Sequence, residues 1–595
     1  MEFQIDFGNV PAPAPAPTFD RAGPLFAAAP GVLLPLGGDE VVLRLRAGGS
    51  HHVMTRDVFE ALARCSAFRG LDQHVADILA AQPALSGRGA AVRAVLEQLV
   101  GRGLLVSADD WLRATTGSAP AAAPQVAIRH ANGAPGAAWL DALASAQVPP
   151  ARVIVFGDDG VPADALARLR ARGIAVLGIG AARRRAWLER LARAVPGAAA
   201  AIPSLFSDDE AGTRNLASLL AANGRLLWLD GRASLPLHHA PALQPGLELA
   251  ATTAVPVSFH ARFEDALSAG QAVAGDPVAA LLAGCGEPVG AVLAEDGPWA
   301  VSRADLYGLE PAALAHLAPQ ARIAAVVAGQ RGAAREAGRE WLFLLDAASR
   351  ERFWSDRDLY LRTLDQPSVW HGPSRARLQA RTLESPLAFD AGAMLPPLFG
   401  REAGDAALWG LLLHAIRPLD PVLHAPLALA VAPDRPSRTS AGWAPETPGL
   451  GALLTDLLAP RASELRAAAP AARLQALAAS LRDLAGAPPA THAELLSEYL
   501  GFCRADLVAR LQSTFLAAAD APVHWQADVR ALVEANGRAL IAGSAPRLAG
   551  WPQSLDEAGC AARLAQDVAA IAGALEGWPA LWQHAVESGA ALPDA

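Results

Sequence analysis

Residues 151–160 read Ala-Arg-Val-Ile-Val-Phe-Gly-Asp-Asp-Gly: an apolar run that stops at a glycine and delivers two adjacent carboxylates, Asp158 and Asp159. The run predicts a strand, and the glycine-flanked turn puts the carboxylates at its C-terminal end, the side on which open α/β sheets bind ligands. Before it, 125–129 (Gln-Val-Ala-Ile-Arg) predicts another strand, then a glycine-containing turn and a helix around 139–144. After it, 162–172 predicts a helix with proline in its first turn, where the missing N–H costs nothing, and 174–179 a third strand. Gly212-Thr213-Arg214-Asn215-Leu216 opens a further helix, and 225–230 (Arg-Leu-Leu-Trp-Leu-Asp) is a strand ending in a single carboxylate, Asp230, followed by Gly231 and Arg232. Strands alternating with helices predict an α/β fold.

The chain has 595 residues, enough for three or more folding units. Hydrophobic residues make up 52% and charged residues 18%, which provides for a large core and excludes global disorder. All of the 50 basic residues are Arg, a compositional bias shared with the abundant Ala, Gly and Pro. The net charge of -9 argues against a nucleic-acid binder, which needs a basic face. Cys65, Cys285, Cys503 and Cys560 are far apart and form no zinc or disulfide pattern. No signal peptide and no apolar run of membrane-spanning length is read, so a cytoplasmic protein with no membrane partner is expected.

Composition shifts divide the chain into a Pro/Ala tail (1–27, with PAPAPAP at 11–17), a compact unit (28–107), a linker (108–124, ending GSAPAAAP), an α/β region (125–435) and a helical C-terminal region (436–595). In the last, Leu496, Leu500, Leu507 and Leu511, and then Leu564, Val568, Ile571 and Leu575, form stripes of the kind that make core or a subunit interface. The unit at 28–107 reads as three short strands (32–36, 41–45, 51–54), three helices and a closing Gly-Arg-Gly-Leu-Leu-Val, a winged-helix-like pattern.

That unit resembles the PqqD-like leader-peptide recognition domain of systems that modify ribosomally made peptides. The resemblance rests on the strand trio, the His-Val-Met-Thr entry to the first helix and the terminal Leu-Val-Gly-Arg-Gly-Leu-Leu-Val. It implies that a precursor-peptide leader adds as a strand beside His51, His52, Val53 and Met54 and packs on Val92 and Leu96 of the third helix. A DNA-reading winged helix and a structural accessory domain remain the alternatives; the few arginines of the third helix, interrupted by Glu97, count against the first.

The α/β region resembles a GT-A, Rossmann-like, nucleotide-sugar glycosyltransferase of the family 2 type. The motifs are Val-Ile-Val-Phe-Gly-Asp-Asp-Gly, Thr-Arg-Asn-Leu on a helix and Leu-Leu-Trp-Leu-Asp, in that order. The resemblance implies a UDP-sugar donor, with Asp158 and Asp159 at the nucleobase and Arg214 and Asn215 supporting the nucleotide site. It also implies Mg²⁺ or Mn²⁺ on an Asp-x-Asp motif beginning at Asp230. Here Gly231-Arg232 replaces the rest of that motif, so two readings stay open: a cation on Asp230, or Arg232 pairing with phosphate directly. In Met394–Leu411 the family's acceptor-side segment implies a general base, with Asp405 first and Glu402 second, although Asp405 equally reads as a helix cap. His424 and the pair His238-His239 are further metal-ligand candidates. Together these imply a glycosyltransferase of ribosomal peptide biosynthesis, with other maturation enzymes as further partners. The rivals are a catalytically dead peptide-binding scaffold and a regulator carrying a sugar-nucleotide sensor.

Overall fold

The computed structural model describes residues 23–37, 39–45, 49–115, 124–129, 135–147, 149–157, 163–230, 233–249, 256–293, 299, 301–311, 314, 321–334, 339–400, 405–433, 443–465, 469–518, 520–542 and 545–588. The chain is mixed α/β and divides into two compact units, one formed by Met1–Thr116 with Val301–Ala315 and the other by the remainder.

In the first unit, strands Gly31–Gly37, Glu40–Leu45 and His51–Thr55 form an antiparallel sheet in that order. Helices Arg56–Arg64, Leu71–Ala81 and Gly89–Gly101 follow, and strand Leu105–Ser107 pairs back with Phe26–Ala28. Alternation buries Val41, Leu43 and Leu45, and Leu43 and Leu45 meet Leu62, Ile78, Leu96 and Leu99.

The boundaries differ from the expected 28–107 unit and 108–124 linker. Phe26 is already paired in a sheet, and 108–115 is a helix whose Trp111 meets Phe68 edge to face. The segment after Val301 joins this unit as well. Phe68 and the 308–309 backbone exchange hydrogen bonds, Arg303 grips the Asp109 carboxylate with two donors, and the Tyr307 hydroxyl donates to Gln73 at 2.9 Å. The α/β region is therefore interrupted by a stretch that belongs to the N-terminal core.

The second unit is built on a large mixed sheet. Its parallel part runs Ala175–Ile179, Arg152–Phe156, Pro124–Arg129, Arg225–Asp230. Antiparallel Ala388–Asp390 comes next, then Ala325–Ala333 and Val422–Val431, which are parallel to each other. Val153, Ile154, Val155 and Phe156 are all buried, as strands covered on both faces require.

Helices Leu450–Glu464, Pro470–Ala485, Pro489–Ala517, Val523–Ile541 and Glu557–Glu587 make the C-terminal region. It shares one core with the sheet rather than standing apart as a 436–595 domain. Leu477, Leu564, Leu575 and Trp578 pack with Ile154, Trp228 and Trp409, and the Trp578 indole donates to the Leu395 carbonyl at 2.6 Å. Of the stripes read from the sequence, Leu496, Leu500, Leu564, Val568, Ile571 and Leu575 join this core, while Leu507 and Leu511 pack in a second cluster with Phe343, Phe353, Tyr360 and Trp525. Among the described residues, no helix is long and apolar enough to cross a membrane.

Candidate functional site at the carboxyl edge of the sheet

Register aligns the ends of the four parallel strands. Ile179 lies beside Phe156, Phe156 beside Arg129, and Arg129 beside Asp230. The first of these strands in the chain lies between the second and the fourth, so their order reverses between Pro124–Arg129 and Arg225–Asp230. That reversal is a topological switch point, where connections leave in opposite directions and open a crevice at the carboxyl ends. Gly157, next after Phe156, bonds through its N–H to the Ile179 carbonyl and has φ of 136°, a conformation that a side chain strains. The chain thus leaves the strand at a glycine, just ahead of Asp158 and Asp159.

Asp158, Asp159, Arg232 and Glu402 lie outside the described residues, and of Asp230 only the main chain is described. The Trp139 indole on helix Pro135–Ser145 donates to the Ala233 carbonyl at 2.9 Å, anchoring the chain just past Arg232.

Arg214 and Asn215, expected to support the nucleotide site, make their described contacts within the protein. They sit on helix Glu210–Leu220, 4% and 1% exposed, with their polar groups engaged inside the protein. The Arg214 guanidinium donates to the Ser385 hydroxyl and the Pro386 carbonyl and lies over the rings of Trp228 and Phe389. Asn215 donates to the carbonyls of Leu205 and Leu398 and accepts from the Leu398 N–H. Both residues staple loops to the helix. Gly212 lets the helix start close against Ser207, since a Cβ there would clash with the Ser207 carbonyl oxygen.

Asp405 opens helix Asp405–Ile416, which leads into strand Val422–Val431 and therefore begins on the carboxyl side of the sheet. It lines a cavity of about 370 Å³ together with Asp209, Ser207, Arg563, Asp567 and Trp551. Asp209 caps helix Glu210–Leu220 by accepting from the Gly212 N–H, and Arg563 pairs with Asp567 at 2.8 Å. Gly400 (φ 76°) folds against the Asp405 carboxylate, which would stand 2.9 Å from any Cβ there. The expected base therefore faces a cavity, and the opposite wall comes from the C-terminal helices.

On the first unit's sheet, His51 and Val53 are exposed, while Met54 packs against the core. Leu96, expected to meet a peptide, is wholly buried in the core that holds Leu43 and Ile78, and Val92 is half-buried against the same core. The exposed large apolar residue of that helix is Val95. On the outer face, Leu34, Val42 and Val53 form one cross-strand row; Leu34 is 46% and Val53 56% exposed, with Val32 beside them. Strand His51–Thr55 pairs only with Glu40–Leu45 among the described residues, leaving one edge open.

The donor set for a divalent cation is one carboxylate, Asp230, next to a glycine and an arginine. One hard oxygen ligand is fewer than Mg²⁺ or Mn²⁺ takes, and the side chains of Asp230, Arg232, Asp158 and Asp159 lie outside the described residues. Among the described residues no group of three His, Cys, Asp or Glu could hold a metal. His238 donates from Nδ1 to the Ala269 carbonyl, and His424 is buried on strand Val422–Val431. Burial pushes the Cys65 thiol up to about 12, and burial pushes the Cys285 thiol up as well, so neither offers a thiolate. Compared with protein-family models, curated proteins and solved structures, the chain matches none.

Proposed function

We propose that this protein is a cytoplasmic, GT-A-like glycosyltransferase of ribosomal peptide biosynthesis. Its PqqD-like first unit holds the precursor-peptide leader, and its α/β unit takes a nucleotide sugar, a UDP-sugar by resemblance, at the carboxyl edge of the parallel sheet. The switch point between Arg129 and Asp230 is the observation that carries the reading. It is the place where an open parallel sheet presents loop residues to a ligand, and the loop after Phe156 supplies Asp158 and Asp159. Arg232 stands in for the cation as the charge on the diphosphate, since a guanidinium donates to two phosphate oxygens at once. Asp405, facing its cavity on the same side of the sheet, is the candidate to accept the acceptor hydroxyl's proton.

The open edge of His51–Thr55 and the apolar row beside it support peptide addition as a fourth strand. Val53→Asp puts a charge on that row without touching the core, because Val53 is already 56% exposed. In fluorescence anisotropy with labelled leader peptide and the full chain, wild type should bind and Val53→Asp should lose roughly tenfold or more, about 1.4 kcal/mol. Salt-sensitive binding of duplex DNA with no peptide binding would overturn the reading.

A second reading, a scaffold that binds the peptide without transferring sugar, is favoured by the incomplete Asp-x-Asp motif and by the internal engagement of Arg214 and Asn215.

A further inference from the structure

Strand Ala325–Ala333 carries one charged residue, Arg331, in an otherwise small and apolar stretch. Arg331 is 2% exposed. It lies beside Ala430, whose other neighbour is Ser234 on strand Ala233–His239. Because Ala430 has only a methyl group, the guanidinium can reach across it, and Nη2 donates to the Pro236 carbonyl at 2.6 Å. Nε is buried and has no hydrogen-bond partner among the described residues. No described carboxylate pairs with this cation, and burial alone pushes it down to about 10.

Arg331 faces a cavity of about 320 Å³, the size at which small-molecule sites begin. The polar lining is Arg331, Ser234 and His238; the rest is apolar, with Phe263 and Leu267 from the covering helix Phe263–Ser268 and Leu235, Pro236 and Val431 from the strands. His238 is tied down through Nδ1, which donates to the Ala269 carbonyl. A buried cation without a counter-ion is costly, and a cavity beside it leaves room for one.

We propose that this cavity binds a small organic monocarboxylate, with the Arg331 guanidinium as its counter-ion and Ser234 as a hydrogen-bond donor. One fixed positive charge matches a single negative charge, and the apolar walls match a hydrocarbon body rather than a free inorganic ion. The cavity's lining begins at Ser234, two residues past Arg232 in the chain, and the proposal rests on Arg331 rather than on the transferase reading.

The test is isothermal titration of the full chain with benzoate, with benzamide as the uncharged isostere and with inorganic phosphate. Benzoate should bind wild type and benzamide should not, a comparison that needs no variant. Arg331→Met, of similar length without the charge, should lose roughly 10- to 150-fold in benzoate affinity. Without ligand it should melt at a higher temperature than wild type, because the uncompensated charge is gone. Ser234→Ala should give a smaller loss. No benzoate binding, equal binding of benzoate and benzamide, or unchanged affinity in Arg331→Met would overturn the proposal, and tighter binding of phosphate than of benzoate would overturn the ligand class.

Discussion

His424 shows what a buried polar residue does to this fold when it has no partner. It is 2% exposed on strand Val422–Val431, and neither ring nitrogen finds a hydrogen bond among the described residues. Burial, then the positive Arg377 and then His371, push it down to about 4 from 6.5. Because the folded state disfavours the proton, stability is whole above about pH 6.5 and falls as the pH drops toward about 4. At pH 5 the loss from this residue is about 2 kcal/mol, at roughly 1.4 kcal/mol per pKa unit. His424→Leu should match or exceed wild type at pH 7.5, since no hydrogen bond is removed. Urea midpoints at pH 7.5 and pH 5 should show wild type losing about 2 kcal/mol more than the variant. Parallel losses would show that His424 is neutral in both states or charged in both. Among the described residues, His424 belongs to no group of three or more His, Cys, Asp or Glu that could hold a metal ion.

At the scale of the element, glycines decide how closely helix Glu557–Glu587 approaches the sheet unit. Gly577 faces the 196–201 turn, where a Cβ would lie 2.9 Å from the Ala201 Cβ and 3.2 Å from the Ala198 Cβ, neither of which can swing aside. Gly573, one turn earlier, meets nothing within 4 Å. Helix propensity favours alanine over glycine by about 1 kcal/mol at both places. Gly573→Ala should therefore stabilise by about 0.5–1 kcal/mol, and Gly577→Ala should destabilise by about 1–2 kcal/mol because overpacking outweighs propensity. Denaturant midpoints of the two variants check this, and equal stabilisation would mean that the contact at Ala201 yields freely.

Elements of this kind were legible in the sequence to different degrees. The strands at 124–129, 152–156, 175–179 and 225–230 stood out because strands buried on both faces are nearly continuous apolar runs. The three-stranded sheet stood out by its glycine punctuation. The fate of Arg214 and Asn215 did not, because a polar pair inside an apolar helix looks the same whether it faces a ligand or staples a loop 171 residues further along the chain, as Arg214 does at Ser385. Leu96 was misplaced for a related reason: helical spacing finds the apolar face but not which part of it the first two helices cover. Arg331 carried a signal in retrospect, a lone charge between Gln330 and Gly332 in a strand, but its cavity exists only once Ser234 and Phe263 are brought beside it.

At the scale of the whole molecule, the chain is interleaved. The segment after Val301 leaves the α/β unit to join the N-terminal one through Phe68, Gln73 and Asp109, contacts separated by about two hundred residues or more that no local periodicity reports. The C-terminal helices close the second unit by sharing its core, and they wall the cavity that Asp405 faces. The proposed group transfer at the carboxyl edge rests on the open edge of His51–Thr55, the switch point beside Asp230 and the cavity that Asp405 faces. The most direct test of that claim is calorimetric titration of the full chain with a panel of nucleotide sugars, with and without chelator, for wild type, Asp158→Ala and Arg232→Ala. A UDP-sugar should bind wild type equally in chelator, and each variant should bind it roughly 10- to 150-fold more weakly, the cost of about 1.5–3 kcal/mol for one charge-assisted contact. No binding of any nucleotide sugar, or binding that neither variant weakens, would contradict the claim.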